Sequence, residues 1–494
     1  MRRAARSTSD SRAGKSRDGH DKDDLMAVMR PETSPAIARA ARRPARTGLA
    51  PTDLGRIALA AALLALSACD TVGGVGRSLF GGGPQEGQVG HVTGFLGGAV
   101  ADEPRAVLAA REVLSRGGNA ADAAVALGFM LSVTLPSRAG LGGGGGCVAY
   151  MPDRDSVNGG VPEAVVFPPV AGAGGGDRPA AVPMLPRGLF ALHARYGKLP
   201  FEGLLAPAEQ AARFGFPASR ALVRDLQVVA GPLLADPNAR AVFAPGGAPI
   251  GEGSQVLQPE LGATIAQLRV AGVGDLYQGA LARRLAEQTP LAGGPLSVDA
   301  LRAALPRIVP PVSVPVGDDL VAILPSPPDN GAAVAAAIQA LQAAPGAARP
   351  AALGGGPYPA STTFATLDHD GNAVVCALTM DNLFGTGRIV PGTGLLLAAS
   401  PRAIPTPVLA ALIAWNSNIH AFRAAVGGSG QEGAALAAAF ALQSTLATGQ
   451  PLPTPPPEPG RANVIACARY LPDHDGSCSW ATDPRGAGLA AGGN

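Results

Sequence analysis

Strand-like and helix-like patterns alternate along this chain without a dinucleotide-binding fingerprint, and 494 residues at 47% hydrophobic suffice for one large core or two domains. These observations predict an α/β protein built as a four-layer α/β/β/α sandwich. The net charge of +2 implies neither nucleic acid nor a strongly acidic partner. The 67 Gly and 47 Pro are abundant but follow no period, and the apolar fraction argues against disorder. No internal repeats are evident.

Residues 1–50 are polar, Arg-rich and aperiodic. Arg56 then precedes the apolar run IALAAALLAL (Ile57 to Leu66), which ends in LSAC (Leu66 to Cys69). A basic flank, about ten apolar residues and small residues before a cut site read as a secretory signal. The run is too short to cross a bilayer, which needs about 20 apolar residues. A buried core helix is the competing reading. LSAC also matches the lipobox of bacterial lipoproteins, which implies a lipid on Cys69 as mature N-terminus, membrane anchoring and a periplasm-facing body. The region before Arg39 is long for a signal, so Met26 or Met29 is an alternative start. Residues 1–68 are thus extension and signal, and 69–90 a Gly-rich tether. Cys147, Cys376, Cys467 and Cys478 remain, in a location that permits disulfides. Cys467 and Cys478 flank the turn Tyr470 to Ser477, and both bridged and free forms stay open. Cys147 and Cys376 read as buried strand residues.

From His91 the pattern becomes dense. Residues 99–136 carry two helical periods divided by the Gly117-Gly118 stop. GLGGGGGCVAYMPD (Gly140 to Asp153) enters a central strand. A phosphate-cradling loop would need a Lys-Ser/Thr ending and a following helix, both missing here. Its glycines are read instead as allowing close backbone packing. Residues 180–222 hold two helical stripes around RYGKLP, and residues 256–287 are followed by a strand ending in PSPPDNG (Pro325 to Gly331). A Gly/Pro/Ala-rich linker, Ala343 to Ala360, leads to Ser361, which opens a β-patterned strand. The DHDG turn (Asp368 to Gly371) and a second strand carrying Thr379 follow. His91, His193, His369 and His420 show no metal spacing and read as surface or turn residues; neither metal nor cofactor is expected.

In this order, the motifs from His91 to Gly492 resemble the γ-glutamyltranspeptidase family of N-terminal-nucleophile hydrolases. The resemblance implies that residues 91–360 are large-subunit-like and residues 361–494 small-subunit-like. It also implies that the first hydroxyl residue after the linker attacks its own preceding peptide bond and stays as an N-terminal nucleophile. The freed α-amine, with a pKa near 8, then serves as general base, so no His is required. Counting back from the turn and from Thr379 puts Ser361 at that position. Choosing Thr362 means deleting a residue within a strand, which turns every side chain to the other face. Thr379 matches the family residue that hydrogen-bonds the nucleophile. Gly430 and Gln431, in GGSGQEGAA (Gly427 to Ala435), match paired oxyanion-hole glycines. Gln in a Gly place demands permissive backbone angles. SWATDPRGAGLAAG (Ser479 to Gly492) looks like the family's closing strand. The bland alternative is a plain strand with surface hydroxyls.

Substrate recognition departs from the family. Pro168 stands where the family has an Arg for the glutamyl carboxylate, Asp381 where it has Asn, and Ser400 and Ala403 where it has Gln and Asp. No Ser pair matches near Ile404 to Pro407. A zwitterionic head needs paired, charge-assisted contacts, so glutathione is expected to be a poor substrate. Asp381 and Ser400 remain candidate substrate contacts. The stretch from Ala332 to Ala360 is short for the family, and the portion after Leu397 is abbreviated. The leading reading is a lipid-anchored, self-processing amide hydrolase or transferase of altered specificity, acting on a small-molecule or peptide amide. An uncut pseudoenzyme serving as an envelope binding or structural protein is the alternative. A serine hydrolase using Ser429 is a third reading, but GGSGQ lacks the final Gly of GxSxG.

Overall fold

The computed structural model describes residues 94–172, 174–344 and 360–493. Cys69, the apolar run, the tether, His91 and most of the linker before Ser361 lie outside the described residues. Among the described residues no helix is long and apolar enough to cross a membrane.

The chain opens with β1 (Gly97–Ala101), β2 (Gly144–Tyr150) and β3 (Glu163–Phe167). After a helical stretch come β4 (Arg307–Val309), β5 (Val312–Val316) and β6 (Asp319–Ile323). The hairpin β7 (Ser361–Asp368) and β8 (Ala373–Thr379) precedes β9 (Ala410–Asn416) and β10 (Ala421–Ser429). The last are β11 (Arg461–Leu471), β12 (Cys478–Thr482) and β13 (Leu489–Gly492). They form a seven-stranded sheet ordered β13-β1-β7-β8-β2-β3-β4 and a six-stranded sheet ordered β12-β11-β10-β9-β6-β5.

Three apolar clusters separate four layers, as the sequence predicts. One lies between the first sheet and helices that include Ala120–Thr134 and Leu185–Tyr196. A second lies between the sheets, and a third between the second sheet and the helices Ala332–Ala343 and Ala434–Thr448. Every residue of the helix Ala120–Thr134 is buried, which suits its apolar composition. That helix starts where Asn119 accepts from the Asp122 N–H at 3.0 Å and Asp122 Oδ2 accepts from the Asn119 N–H at 3.1 Å.

Strand alternation sorts side chains between layers. On β7, Phe364 enters the helical cluster while Ala365 and Leu367 enter the gap between the sheets. On β8, Cys376 and Leu378 take the helical side, and Val375 and Ala377 the gap. β2 lies in the interior of its sheet, where its glycines admit close neighbours. A Cβ on Gly145 would stand 2.2 Å from the Ala377 carbonyl oxygen.

Several details differ from the sequence reading. Residues 99–101 belong to β1 and not to a helix. The C-terminal segment is two strands: β12 ends the second sheet, the chain turns through Asp483 to Gly488, and β13 edges the first. His193 lies in a helix, with Nε2 at 2.7 Å from the Leu199 carbonyl oxygen. Cys147 and Cys376 are buried strand residues and are also bonded to each other, directly opposite across β2 and β8. Cys467 and Cys478 bridge β11 and β12.

Candidate active site

Ser361 is the first residue of β7, and Thr379, the last of β8, is its direct partner in the ladder. Both are buried. Thr379 Oγ1 donates to the carbonyl oxygen of Ala360 at 3.0 Å and accepts from the Asp381 N–H at 2.9 Å. The amide carbonyl preceding Ser361 is thereby held and polarised by a hydroxyl from the adjacent strand. The Ser361 Oγ has no hydrogen-bond partner. By alternation from Ala365, Ser361 and Thr363 belong to the gap between the sheets, and Thr362 to the helical side. Thr362 Oγ1 is committed there, donating to Asp102 Oδ2 at 2.7 Å.

The second sheet closes the same end of the sandwich. At the DHDG end, a Cβ on Gly371 would lie 3.2 Å from the Leu471 carbonyl oxygen, and Leu471 pairs with Phe422. β10 therefore starts beside the turn and finishes, at Ser429, near Ser361. A Cβ on Gly427 would stand 2.5 Å from the Thr363 Cβ, so only glycine permits this approach of the sheets. Gly430 and Gln431 follow with φ of 111° and 54°, both left-handed. Gln431 thus occupies a backbone region that glycine adopts far more readily. The helix Ala434–Thr448 begins just beyond, adding the partial positive charge of a helix N-terminus to this end.

Asp381 is buried with φ of 59°, and neither carboxylate oxygen completes a hydrogen bond. Burial pushes its pKa up to about 7, a rise that the Thr406 side chain opposes. Ser400 is buried nearby: the Ala399 N–H donates to the Met380 carbonyl oxygen at 3.1 Å. Pro168 lies beyond Gly144, which pairs with Thr379. The structure therefore brings Ser361, Thr379, Asp381, Ser400, Gly430 and Gln431 to one end.

Sequence reasoning missed the polar support beneath them. Asp102 also accepts from Asn463 Nδ2 at 3.0 Å, and the same nitrogen donates to the Thr363 carbonyl oxygen at 2.8 Å. Arg138 stands 3.8 Å from Asp102 but is bound in a fork by Asp225, at 2.7 and 2.6 Å. Among the described residues, eight buried side-chain polar atoms lack a partner. Those of Ser326, Ser361, Asp381, Ser429 and Asn463 gather at this end; only Tyr150 Oη and Trp480 Nε1 do not. Native interiors satisfy nearly all such groups, so the concentration marks a site and not a core.

The opposite end holds a cavity of about 950 Å³ lined by Asp370, Asn372, His420 and Tyr470. Asp368, His369 and Asp370 have metal-compatible spacing there, which the sequence reading did not register. Asp368 is already taken up by the Ala120, Asp370 and Asn372 N–H groups and by Asn372 Nδ2, at 2.9 to 3.0 Å. Its role is to fix the turn.

The four-layer sandwich is that of the N-terminal-nucleophile hydrolases. The cephalosporin acylase from Bacillus halodurans shares this fold with a TM-score of 0.63 at 18% identity, over 83% of this chain and 97% of that one. Residues 106–351 match the family model for gamma-glutamyltranspeptidase. Glutathione hydrolase 6 of Homo sapiens is 31% identical over 299 residues, 59% of this chain and 56% of its own length. The glutathione hydrolase proenzyme of Escherichia coli (strain K12) is 30% identical over 212 residues, 39% of this chain and 36% of its own length. The chain belongs to the γ-glutamyltranspeptidase family. It spans just over half, or less, of the length of the curated relatives it matches.

Proposed function

We propose that this protein is a self-processing amide hydrolase or transferase that cuts itself between Ala360 and Ser361 and acts through the freed Ser361. The observation that carries the reading is the Thr379 hydroxyl on the Ala360 carbonyl at 3.0 Å, with the unpartnered Ser361 hydroxyl on the next residue. In the cut, the Ser361 Oγ–Ala360 carbonyl carbon bond forms and the Ala360–Ser361 C–N bond breaks. The hydroxyl proton passes to the Ser361 nitrogen, and water then hydrolyses the resulting ester. The products are the Ala360 carboxylate and a Ser361 with free hydroxyl and α-amine. That amine supplies the base for later turnovers on external amides. Holding the hydroxyl near the carbon dominates the rate of such a step.

Altered specificity is part of the proposal. Pro168 carries no charge for an α-carboxylate, and Asp381 presents a carboxyl where an amide would be expected. Envelope anchoring through Cys69 is proposed from the basic-apolar-LSAC succession, and the two disulfides suit an oxidising compartment. The test is a reducing, denaturing gel of the purified protein with N-terminal sequencing of the smaller band. A band starting at Ser361 is expected. A single full-length chain under all conditions would leave the pseudoenzyme reading in its place.

A further inference from the structure

We propose that Ser429 is a positioning residue for the self-cleavage: the two hydroxyls, not bonded to each other in this structure, face the same gap between the sheets, and Ser429 accepts the hydrogen of the Ser361 hydroxyl as the attack begins. The inference rests on the cut proposed above. Thr363 and Gly427 oppose each other so closely that a side chain at 427 would collide. One alternation further toward the same end of each strand stand Ser361 and Ser429. Each is 1% exposed, and each hydroxyl lacks a partner. Two buried hydroxyls left unsatisfied on facing strands are unfavourable for stability alone, because each forgoes its hydration.

This assignment completes the geometry of attack. Thr379 holds the Ala360 carbonyl from the first sheet. In the attacking arrangement Ser429 would hold the Ser361 hydroxyl from the second, leaving a lone pair for the carbonyl carbon. No proton leaves through Ser429, since the Ser361 nitrogen receives it. Ser429 is adjacent to Gly430, so the chain that positions the nucleophile also leads to the expected oxyanion donors. The serine-hydrolase reading gave Ser429 the attack itself, whereas here it orients another hydroxyl.

The experiment compares the full-chain wild type with Ser429→Ala and Ser429→Thr, following the appearance of the smaller fragment and Tm. Ser429→Ala should slow the cut about tenfold or more, the scale of a lost positioning contact, with Tm unchanged or raised. Ser429→Thr keeps the hydroxyl and should recover most of the rate. Cutting of Ser429→Ala at the wild-type rate would overturn the assignment. So would a lowered Tm, which would mark the hydroxyl as structural. A wild type that never cuts defeats the self-cleavage reading itself and is distinguished by its own lane.

Discussion

Thr362 donates its hydroxyl to Asp102 at 2.7 Å on one face of the strand whose other face carries Ser361. The pair pins the register of β7 at the bond to be cut, because a slip of one residue would exchange the two faces. It also gives each neighbouring hydroxyl a separate task. Ser361→Ala should therefore abolish the cut and leave a single chain, and Ser361→Thr should retain it. Thr362→Val should still cut before Ser361. N-terminal sequencing checks this, and a fragment beginning at position 362 or later would contradict it.

Thr379→Val should slow the cut about 100-fold, the scale of removing one donor from a developing oxyanion. The measurement is the time course of fragment appearance. An unchanged rate would mean that the contact with Ala360 only packs the strand end.

Asp381 predicts a pH dependence of stability. Its carboxyl ordinarily titrates at 3.8 but is pushed up to about 7 here. The unfolded chain releases the proton from about pH 4 upward, while the folded chain keeps it until about pH 7. Stability is therefore lost as pH rises through that window, at up to about 1.4 kcal/mol per pH unit for this group. Asp381→Asn should remove the slope and be more stable than wild type at pH 8. Denaturant titrations of both proteins at pH 5 and pH 8 give the comparison; equal slopes would show that the carboxyl is better solvated than its burial implies.

Glutathione should be turned over poorly, because Pro168 and Ala403 cannot hold a charged glutamyl head. Hydrolysis of a γ-glutamyl anilide at micromolar substrate is the assay. Robust turnover would relocate the binding residues.

Cys69→Ala should release the protein from membranes, since the proposed lipid is attached there. Fractionation with mass analysis of the mature N-terminus decides it. Unchanged retention with an unmodified terminus would end the lipoprotein proposal.

The hairpin was legible because its signals are local. Alternating apolar residues, the DHDG turn and the spacing from Ser361 to Thr379 require no knowledge of distant segments. The fold class followed from the alternation of elements, and the Gly117-Gly118 stop falls between the helices Pro104–Ser115 and Ala120–Thr134. What stayed hidden is long-range. Asp102 and Asn463 are 361 residues apart in sequence, and nothing in ADEP or ANVI shows that they meet. The Cys147–Cys376 bond depends on β2 lying beside β8 in one particular register. The orphaned hydroxyl of Ser429 becomes informative only once the two sheets are stacked. Ser479 to Gly492 resembles a single closing strand in the sequence, and only the stacked sheets show that its two halves belong to different ones.

Cys147 lies before the proposed cut and Cys376 after it, and both strands sit in the interior of one sheet. Severing the backbone at Ala360 would then leave a single covalent molecule, with the bridge replacing the lost peptide link. The two polypeptides would remain in fixed one-to-one stoichiometry, unable to dissociate on dilution or to exchange partners between molecules. Without reductant a denaturing gel would show one band for the processed protein, and its mass would exceed that of the uncut chain by one water. Maturation would change the chemistry at Ser361 while leaving molecular connectivity intact.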